Sequence, residues 1–540
     1  MTPPVVWSVA GTDSGGGAGL AADQRAADLL GVHLCGVVAA VTAQNSVAVT
    51  QVAAMPAALL EAQFAALADD LPPAAIKTGV LGSAENVHCV ARWVDRLRTR
   101  RPVALVVDPV LRASTGAALA GECVVAAYRD ALLPRATMVT PNRREAAALL
   151  RIDAPASAAA VPALAAALRA LGATAVCITG GDDGDDDRQG GARDGSALVH
   201  DWLASEHASG WLTLPRVATA HAHGSGCTHS AALAAALARG LVAADAAVLA
   251  KMQVACALRA ARAVGRGAGP VRAGAGAATG PGDLPWLSLD HALPSQWCLP
   301  SRSAEPGVYA IVDCAARVEA VLAAGAHTVQ LRIKRPAEAD AQWPAWLRGE
   351  VARSVAAARR AGVTLYVNDH WQAALELGAA GVHLGQEDLL ALDTAERGAL
   401  AAARRRGLRL GLSSHSPWEL CRAAAMQPDY IACGPVWPTD TKRIPWLPQG
   451  LDNLAWWAAH APAPVVAIGG ILEPHQLEQA ARQGCAGACV LRGLGPTPSI
   501  TLPRFLAAWQ AGRSARGDRR DCALPALPHA SLGWVAPQRP

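Results

Sequence analysis

Short runs of β-branched residues alternate with alanine-rich segments along most of this 540-residue chain. In the first half, the runs include residues 103–107, 137–140 and 175–179. Strands that alternate with helices pair into a mostly parallel sheet that is covered by helices. The alternation therefore predicts an α/β fold.

The second half shows the same alternation of strands and helices, and its candidate strands can be counted. Eight candidate strands recur at a spacing of about 25 residues, each followed by a helical segment, as in a (β/α)8 TIM barrel. They are residues 309–312, 328–333, 364–368, 381–384, 408–413, 430–433, 464–468 and 487–491. Functional side chains of such a barrel lie at the carboxyl ends of its strands.

A segment rich in glycine, alanine and proline separates the two blocks. Residues 266–304 have the composition of a linker, which predicts a first domain at 1–265 and a barrel domain at 305–511. The tail at 512–540 carries several arginines and late prolines, so we expect it to be disordered.

Charge and cysteine usage exclude several classes of protein. A net charge of +4 is too small to indicate binding of nucleic acid or of a membrane surface. The thirteen cysteines form no C-x-x-C pair and no dense pattern, which argues against a structural zinc site and a disulfide scaffold. No signal peptide or membrane-length apolar run is recognisable. We expect a cytoplasmic protein that acts on small molecules and forms a homo-oligomer.

Lysine is rare in this chain. Of 48 basic residues, only Lys77, Lys251, Lys334 and Lys442 are lysines. Arginine has taken the positions where charge alone is needed, so a remaining lysine is expected where its geometry matters. Retention by chance is the alternative.

Polar motifs follow the predicted strands of the first half. The run from Gly11 to Gly19 allows the backbone to approach a ligand closely. Asp108 ends one strand, and Asn142 and Glu145 follow another. These positions suit a magnesium–nucleotide complex at the edge of a parallel sheet.

The strongest motif of the first half is His223-Gly224-Ser225-Gly226-Cys227, which precedes an alanine–leucine helix. Glycine amides at a helix N-terminus form an anion hole suited to phosphate. A cysteine there lies at the positive end of the helix dipole, which favours its thiolate. A buried structural cysteine is the alternative.

With these motifs, residues 1–265 resemble the hydroxymethylpyrimidine and phosphomethylpyrimidine kinases of the ribokinase-like fold. The matching segments are G-T-D-x-x-G-G-A-G at 11–19, V-T-A-Q-N at 41–45, K-T-G-V-L at 77–81, D-P-V at 108–110, P-N at 141–142 and G-S-G-C at 224–227.

The resemblance implies a ribokinase-like domain that uses ATP as co-substrate, with Mg²⁺. The implied residues are Cys227, Gly224 and Gly226 for catalysis, Asp23, Gln44 and Val110 for the pyrimidine, and Asp108, Asn142 and Glu145 for the nucleotide–magnesium side.

Two stretches depart from this family. Thr179 stands where the family usually has a lysine, and Ala220 to His223 replaces its usual Asn-Thr before the anion hole. The first half could therefore be a pyrimidine-binding module with weak or lost activity. Another vitamin kinase, such as a pyridoxal kinase, is a further alternative, against which Gln44 and the Cys227 motif argue.

In the second half, charged side chains follow successive barrel strands. Period-two alternation places Gln330, Arg332 and Lys334 on one face of the second strand, inside the barrel mouth. Asp369 follows the third strand and Asp388 the fourth, and two carboxylates at neighbouring strand ends can hold Mg²⁺ with a diphosphate.

Phosphate-binding groups follow the later strands. Thr439, Thr441 and Lys442 come after the sixth strand and supply hydroxyls and a cation. Gly470 comes after the seventh strand, where many barrels bind phosphate.

Residues 305–510 resemble thiamine-phosphate synthase. The implied ligands are Gln330, Arg332, Lys334, Asn368, Ser413 and Lys442 for the pyrimidine diphosphate, Thr439, Thr441 and Gly470 for the thiazole phosphate, and Asp369 and Asp388 for Mg²⁺. Arg492 stands where the family often has a serine. The alternative is a thiazole tautomerase, a similar barrel that would not need the paired aspartates.

The two resemblances support each other, because the kinase product is the synthase substrate. They imply a fused enzyme of thiamine biosynthesis. Its first half would phosphorylate hydroxymethylpyrimidine, through the monophosphate, to the diphosphate. Its second half would condense that product with thiazole phosphate to give thiamine phosphate and diphosphate.

Overall fold

The structure is a computed structural model that describes residues 2–113, 116–155, 157–181, 197–273, 280–294, 305–439, 445–515 and 527–533. The chain divides into two compact units, formed mainly by Met1–Thr279 with Asp283–Cys298 and by Leu299–Ser531. Among the described residues, we find no helix with the length and hydropathy needed to span a membrane.

The first unit is built on a ten-stranded sheet with the order β10-β9-β8-β7-β6-β5-β4-β1-β2-β3. Its strands are β1 Val5–Asp13, β2 His33–Gln44, β3 Val49–Ala54, β4 Ala75–Thr78, β5 Ala104–Val107, β6 Met138–Val139, β7 Ala175–Ile178, β8 Leu198–Ala204, β9 Ser209–Pro215 and β10 Trp286–Leu287. Pairing is parallel from β2 through β1 and β4 to β7, and antiparallel at both ends.

Helices connect these strands and cover the sheet. They are α1 Gly19–Leu29, α2 Ala57–Ala68, α3 Ala84–Arg98, α4 Glu122–Ala127, α5 Arg143–Leu150, α6 Val161–Ala170, α7 Ser225–Ala238 and α8 Ala243–Arg259. Every residue of β4 and β5 is buried, as expected for central strands with helices on both faces. The carboxyl ends of the parallel strands consequently share one edge, where the motifs of the first half lie.

The second unit is a closed barrel in which β11 to β18 follow one another in order. The strands are β11 Gly307–Val312, β12 Thr328–Leu331, β13 Thr364–Asn368, β14 Gly381–Leu384, β15 Arg409–Ser414, β16 Tyr430–Cys433, β17 Val465–Ala467 and β18 Gly487–Val490. All pairings are parallel. Tyr309, Tyr366 and Tyr430 fill part of the interior.

The outer helices of the barrel are α9 Ala315–Ala323, α10 Trp343–Ala361, α11 Trp371–Glu376, α12 Gln386–Ala391, α13 Thr394–Arg405, α14 Pro417–Ala425, α15 Gly450–His460, α16 Pro474–Arg482 and α17 Pro498–Ser514. The predicted fold class, an α/β sheet domain followed by a (β/α)8 barrel, is confirmed.

Two segments differ from expectation. Trp286 and Leu287, within the predicted linker, form strand β10 because their apolar side chains are buried against the sheet edge. The predicted disordered tail begins inside α17, and His529 donates its backbone amide to Asn453 Oδ1 at 2.8 Å. Residues 516–526 and 534–540 of that tail lie outside the described part of the chain.

Candidate active sites

The glycine run after β1 is closed around the carboxylate of Asp13. Its oxygens accept the backbone amides of Gly15, Gly17 and Ala18 at 2.8, 3.0 and 2.9 Å. His223 Nε2 lies 2.8 Å from Asp13 Oδ2. Burial opposes ionisation of this carboxyl, but the hydrogen bonds from His223 and the amides outweigh it and lower the Asp13 pKa.

Small residues allow the two glycine motifs to meet. A Cβ on Gly17 would lie 2.3 Å from His223 Cδ2, and a Cβ on Gly224 would lie 2.1 Å from the Gly17 carbonyl oxygen. Gly224 also has φ +84°, a left-handed conformation that glycine adopts without strain. Only glycine at these two positions therefore allows the backbones of the two loops to approach each other this closely.

Helix α7 begins directly after Gly224, so Gly226 and Cys227 lie in its first turn. Amides in a first turn have no acceptor within the helix, and they form the anion-binding end that the sequence predicts. Gln44 lies beside this end, with its Nε2 atom 3.4 Å from His223 Nε2. The structure thus brings together Gln44, Gly224, Gly226 and Cys227.

Asp23, which was predicted to bind the pyrimidine, is paired with other side chains of the first unit, and its contact with the substrate stays a prediction. Its carboxylate is fully buried, accepts Lys77 Nζ at 2.9 and 3.0 Å, and accepts Ser8 Oγ at 2.5 Å. A buried charge requires such partners. Lys77 Nζ also lies 3.9 Å from Asp108. Sequence reasoning missed this role of Lys77, although the scarcity of lysine pointed to it.

The Cys227 thiol is protonated, contrary to the expected thiolate. Burial, with smaller contributions from Asp23 and Asp108, raises its pKa to about 12. The ammonium of Lys77 and the amide of Gly19 act in the opposite direction but do not outweigh burial.

The residues predicted for the nucleotide side lie at adjacent strand ends. Asn142 Oδ1 accepts the Glu145 amide at 2.8 Å, and Glu145 Oε2 accepts the Asn142 amide at 2.9 Å. This capping box starts α5. Asp108 accepts Ser230 Oγ at 2.8 Å. Val110 is half-buried, and its amide donates to the Asp108 carbonyl in the same turn.

A cavity of about 680 Å³ opens in the second unit at the carboxyl ends of the barrel strands. Nine predicted ligands line it: Gln330, Arg332, Lys334, Asn368, Asp369, Asp388, Ser413, Thr439 and Gly470. Thr441 and Lys442 lie outside the described residues.

The floor of this cavity is a hydrogen-bonded network. Gln330 Nε2 donates to Tyr309 Oη at 3.3 Å, and Tyr309 Oη lies 2.9 Å from Tyr430 Oη. His383 connects Tyr430 Oη at 2.7 Å with Ser413 Oγ at 2.8 Å. Burial lowers the His383 pKa to about 4, so the imidazole is neutral and holds Gln330 and Ser413 in place without adding charge.

The two predicted magnesium ligands face each other. The carboxyl groups of Asp369 and Asp388 line the same cavity and influence each other's ionisation, and Lys334 contacts Asp369. Burial and the neighbouring Asp369 raise the Asp388 pKa, whereas Lys334 keeps the Asp369 pKa low. Asp369 has φ +63°, an uncommon conformation for a residue other than glycine.

This arrangement fits a hard divalent cation. Two carboxylates in contact either share a proton or hold a cation, and oxygen ligands suit Mg²⁺. Asn368 Nδ2 is buried in the same cavity and has no hydrogen-bond partner among the residues that the structure describes. An orphaned donor beside a carboxylate pair suits the oxygen of an anionic ligand.

A second polar group surrounds the ends of β16 to β18. Gly469 and Gly470 have φ of +91° and +72°, and a Cβ on Gly470 would lie 2.6 Å from Trp437 Cβ. Arg492 Nη2 donates to Thr439 Oγ1 at 3.3 Å. These groups line the same cavity as the aspartate pair.

Sequence reasoning missed an aromatic wall of the cavity. His415 Nδ1 lies 2.8 Å from Glu419 Oε2, and the His415 ring stacks on Trp446 with centroids 5.2 Å apart. His415 follows Ser413 by two residues, so period-two alternation could have placed both side chains on one face.

Two family models match the chain. The one described as "Phosphomethylpyrimidine kinase" matches residues 13–272, and the one described as "Thiamine monophosphate synthase" matches residues 308–494. The halves also have separate relatives. A hydroxymethylpyrimidine/phosphomethylpyrimidine kinase of Synechococcus elongatus is 42% identical over 50% of this chain and 97% of its own length. A thiamine-phosphate synthase of Rhizobium etli is 44% identical over 38% and 96%.

Among solved structures, the pyridoxal kinase of Staphylococcus aureus in complex with ADP aligns with a TM-score of 0.46 and 28% identity, covering 51% of this chain and 95% of that one. Some relatives span both halves. The thiamine biosynthetic bifunctional enzyme TH1, chloroplastic, of Arabidopsis thaliana is 33% identical over 481 residues, which are 87% of this chain and 85% of the relative. The chain therefore belongs to the family of bifunctional thiamine biosynthetic enzymes, in which a phosphomethylpyrimidine kinase is fused to a thiamine-phosphate synthase barrel.

Proposed function

We propose that the sites described above carry out two consecutive steps. In the first unit, ATP phosphorylates hydroxymethylpyrimidine and then its monophosphate. In the second unit, the resulting diphosphate is condensed with thiazole phosphate. The observation that carries the proposal is the facing pair Asp369 and Asp388, with Lys334 and the orphaned amide of Asn368 in one cavity.

In the kinase step, the proposed contacts to the transferring phosphoryl group come mainly from backbone amides. The first-turn amides at Gly226 and Cys227 would hold the transferring phosphoryl group, as phosphoryl transfer depends mainly on positioning and charge stabilisation. Gln44 would bind the aminopyrimidine, because a carboxamide offers both a donor and an acceptor. Asp108, Asn142 and Glu145 would face the nucleotide, while Asp23 acts through Lys77.

In the synthase step, the bond between the pyrimidine methylene and the diphosphate oxygen breaks, and its electron pair leaves with the diphosphate. The thiazole nitrogen then forms a new bond to the methylene carbon with its own lone pair. Mg²⁺, held by Asp369 and Asp388, would neutralise charge on the leaving group. Arg332 and Lys334 add positive charge at the same end.

The remaining barrel ligands divide between the two substrates. Gln330, Ser413 and Lys442 would contact the pyrimidine diphosphate, and Thr439, Thr441 and Gly470 the thiazole phosphate. A thiazole tautomerase is disfavoured, because it has no use for the paired aspartates. The eleven cysteines that the structure describes are free, which agrees with the proposed cytoplasmic location. A homo-oligomeric state stays a prediction.

A single reaction mixture tests the whole proposal. The full chain is incubated with hydroxymethylpyrimidine, ATP, Mg²⁺ and thiazole phosphate, and thiamine phosphate is measured by chromatography. Product that requires all four components supports both steps. Product from pre-formed pyrimidine diphosphate, but not from hydroxymethylpyrimidine with ATP, would mean that the first unit binds pyrimidine without phosphorylating it.

A further inference from the structure

The cavity of the barrel unit contains two separate groups of charged side chains. One group, Lys334, Asp369 and Asp388, follows strands β12 to β14. The other follows β16 to β18 and contains the cation of Arg492. Among the residues that the structure describes, strand order therefore separates an end with a cation and two carboxylates from an end with the cation Arg492 and no carboxylate.

Among the described residues, two cavity cations, Arg332 and Arg492, have no carboxylate partner, and Arg492 is the one that follows β18. Lys334 contacts Asp369, whereas the guanidinium of Arg492, within the described part of the chain, contacts only the Thr439 hydroxyl, at 3.3 Å. Arg492 is exposed and lines the cavity. A guanidinium that faces a cavity without a carboxylate partner is suited to an anionic ligand, and its fork of N–H groups matches phosphate oxygens.

The backbone beside Arg492 favours the same ligand. Gly469 and Gly470 have left-handed conformations, and the Gly470 Cα closely approaches Trp437. Gln476 Nε2 donates to the Gly470 carbonyl at 3.0 Å, which fixes the turn. The loops after the seventh and eighth strands are where (β/α)8 barrels commonly bind phosphate.

We propose that Arg492 is the residue by which this synthase selects the phosphorylated thiazole over the thiazole alcohol. The guanidinium would pair with the phosphate of the second substrate, and the Thr439 hydroxyl would share that contact. This inference rests on the proposed function of the barrel. It goes beyond that function because it assigns substrate discrimination to a single charged side chain.

The test compares two substrates on the full chain. Steady-state rates are measured with pyrimidine diphosphate, Mg²⁺ and either thiazole phosphate or the unphosphorylated thiazole alcohol. For Arg492→Gln, we expect KM for thiazole phosphate to rise about 10- to 100-fold, the loss that follows removal of one charged contact. We expect the rate with the alcohol and KM for pyrimidine diphosphate to stay within about twofold.

Two further variants control for folding and for general charge. Arg492→Lys keeps the cation and is expected to retain most of the preference for phosphate. Arg482→Gln removes a surface arginine that pairs with Glu478 on α16 and is expected to behave as the unmodified chain. A calorimetric titration of thiazole phosphate onto folded Arg492→Gln measures the lost affinity directly.

Three outcomes would overturn the inference. They are equal losses for both thiazole forms, a raised KM for pyrimidine diphosphate, and unchanged kinetics. If the unmodified chain makes no thiamine phosphate from any mixture, the proposed synthase function itself fails, which is distinguishable from a failure of the Arg492 assignment alone.

Discussion

At the scale of single residues, the kinase site shows how burial competes with a helix dipole. Cys227 lies in the first turn of α7, yet burial beside two carboxylates keeps it a thiol. Lys77 shows the opposite balance. Burial disfavours its ammonium, but Asp23 and Asp108 raise its pKa above the usual range, so it stays charged. Lys77 is thus a buried ammonium that is neutralised by Asp23 and Asp108 and that acts electrostatically on Cys227 in the first turn of α7.

The Cys227 pKa of about 12 predicts slow alkylation. At pH 8 only a minute fraction of this thiol is ionised, and the thiolate is the reactive form. We expect iodoacetamide to modify the exposed Cys123 at least tenfold faster than Cys227, as followed by mass spectrometry of tryptic peptides. Equal rates at the two positions would show that Cys227 is an activated thiolate.

The buried ion pair predicts a large effect on stability. Lys77→Met removes the partner of Asp23 and leaves an uncompensated buried charge, which typically costs about 3–5 kcal/mol. We expect that decrease in the free energy of unfolding of the first unit, measured by urea denaturation. Adding Asp23→Asn should restore part of it. Arg92→Met, an exposed change on α3, is the control, and a loss as large as that of Lys77→Met would contradict the explanation.

At the scale of elements, α7 combines a functional N-terminus with a buried body. Residues 228–237 are all buried, and the helix packs against β4, β5, α1 and α8. One polar residue of this body, His229, has no partner in the described part of the chain for a hydrogen bond to either ring nitrogen. It lies near the ion pair of Asp201 and Lys251, whose charged atoms are 2.8 Å apart. Burial, with Lys251, lowers the His229 pKa to about 4.

The buried position of His229 predicts that the first unit becomes less stable at acidic pH. The pKa of His229 is about 4 in the folded chain, whereas its usual value, expected in the unfolded chain, is 6.5. Between pH 6.5 and pH 4 the unfolded chain therefore binds a proton that the folded chain does not. Stability should therefore fall as the pH drops from about 6.5 towards 4, by up to about 1.4 kcal/mol per pH unit for one such group. His200, whose pKa is also lowered to about 4 by burial, adds to the same trend.

His229→Leu should make the first unit less sensitive to acid. The variant removes two unsatisfied nitrogens, so we expect equal or higher stability at pH 7.5 and a smaller loss at pH 5 in urea denaturation. His33→Gln, an exposed change, serves as the control. If His229→Leu and the unmodified chain lose the same stability between pH 7.5 and pH 5, His229 is not the titrating group.

At the scale of the whole molecule, the two candidate sites belong to different compact units. Each site is assembled from the carboxyl ends of its own parallel strands, and no described residue serves both. The two activities should therefore respond separately to substitution.

Asp388→Asn tests this separation. Removing one carboxylate of the Asp369–Asp388 pair should lower magnesium-dependent thiamine phosphate formation at least 100-fold, because one ligand of the cation is lost. ADP release with hydroxymethylpyrimidine phosphate should stay unchanged. Asp452→Asn, an exposed aspartate of α15, is the control. An unaltered yield of thiamine phosphate would contradict the assignment of Asp388.

The sequence alone determined the two architectures and the edge of each sheet at which the motifs meet. Strand and helix periodicity is local, and parallel strands necessarily bring their carboxyl ends together, so Gln330, Lys334, Asp369 and Asp388 could be placed in one cavity before any coordinates. The rarity of lysine predicted that a retained lysine lies where its geometry matters, without naming a role for Lys251, and Lys77 and Lys251 are both buried ion-pair partners.

Only the tertiary structure decided which polar groups pair with each other. Asp23 and Lys77 are 54 residues apart, and no local pattern shows that the carboxylate faces the lysine instead of a substrate. The same holds for the neutral Cys227 thiol, for the stacked His415 and Trp446, and for the Arg492–Thr439 contact. Desolvation and long-range contacts determine the charge and the partners of a side chain, and both depend on what the folded chain packs around it.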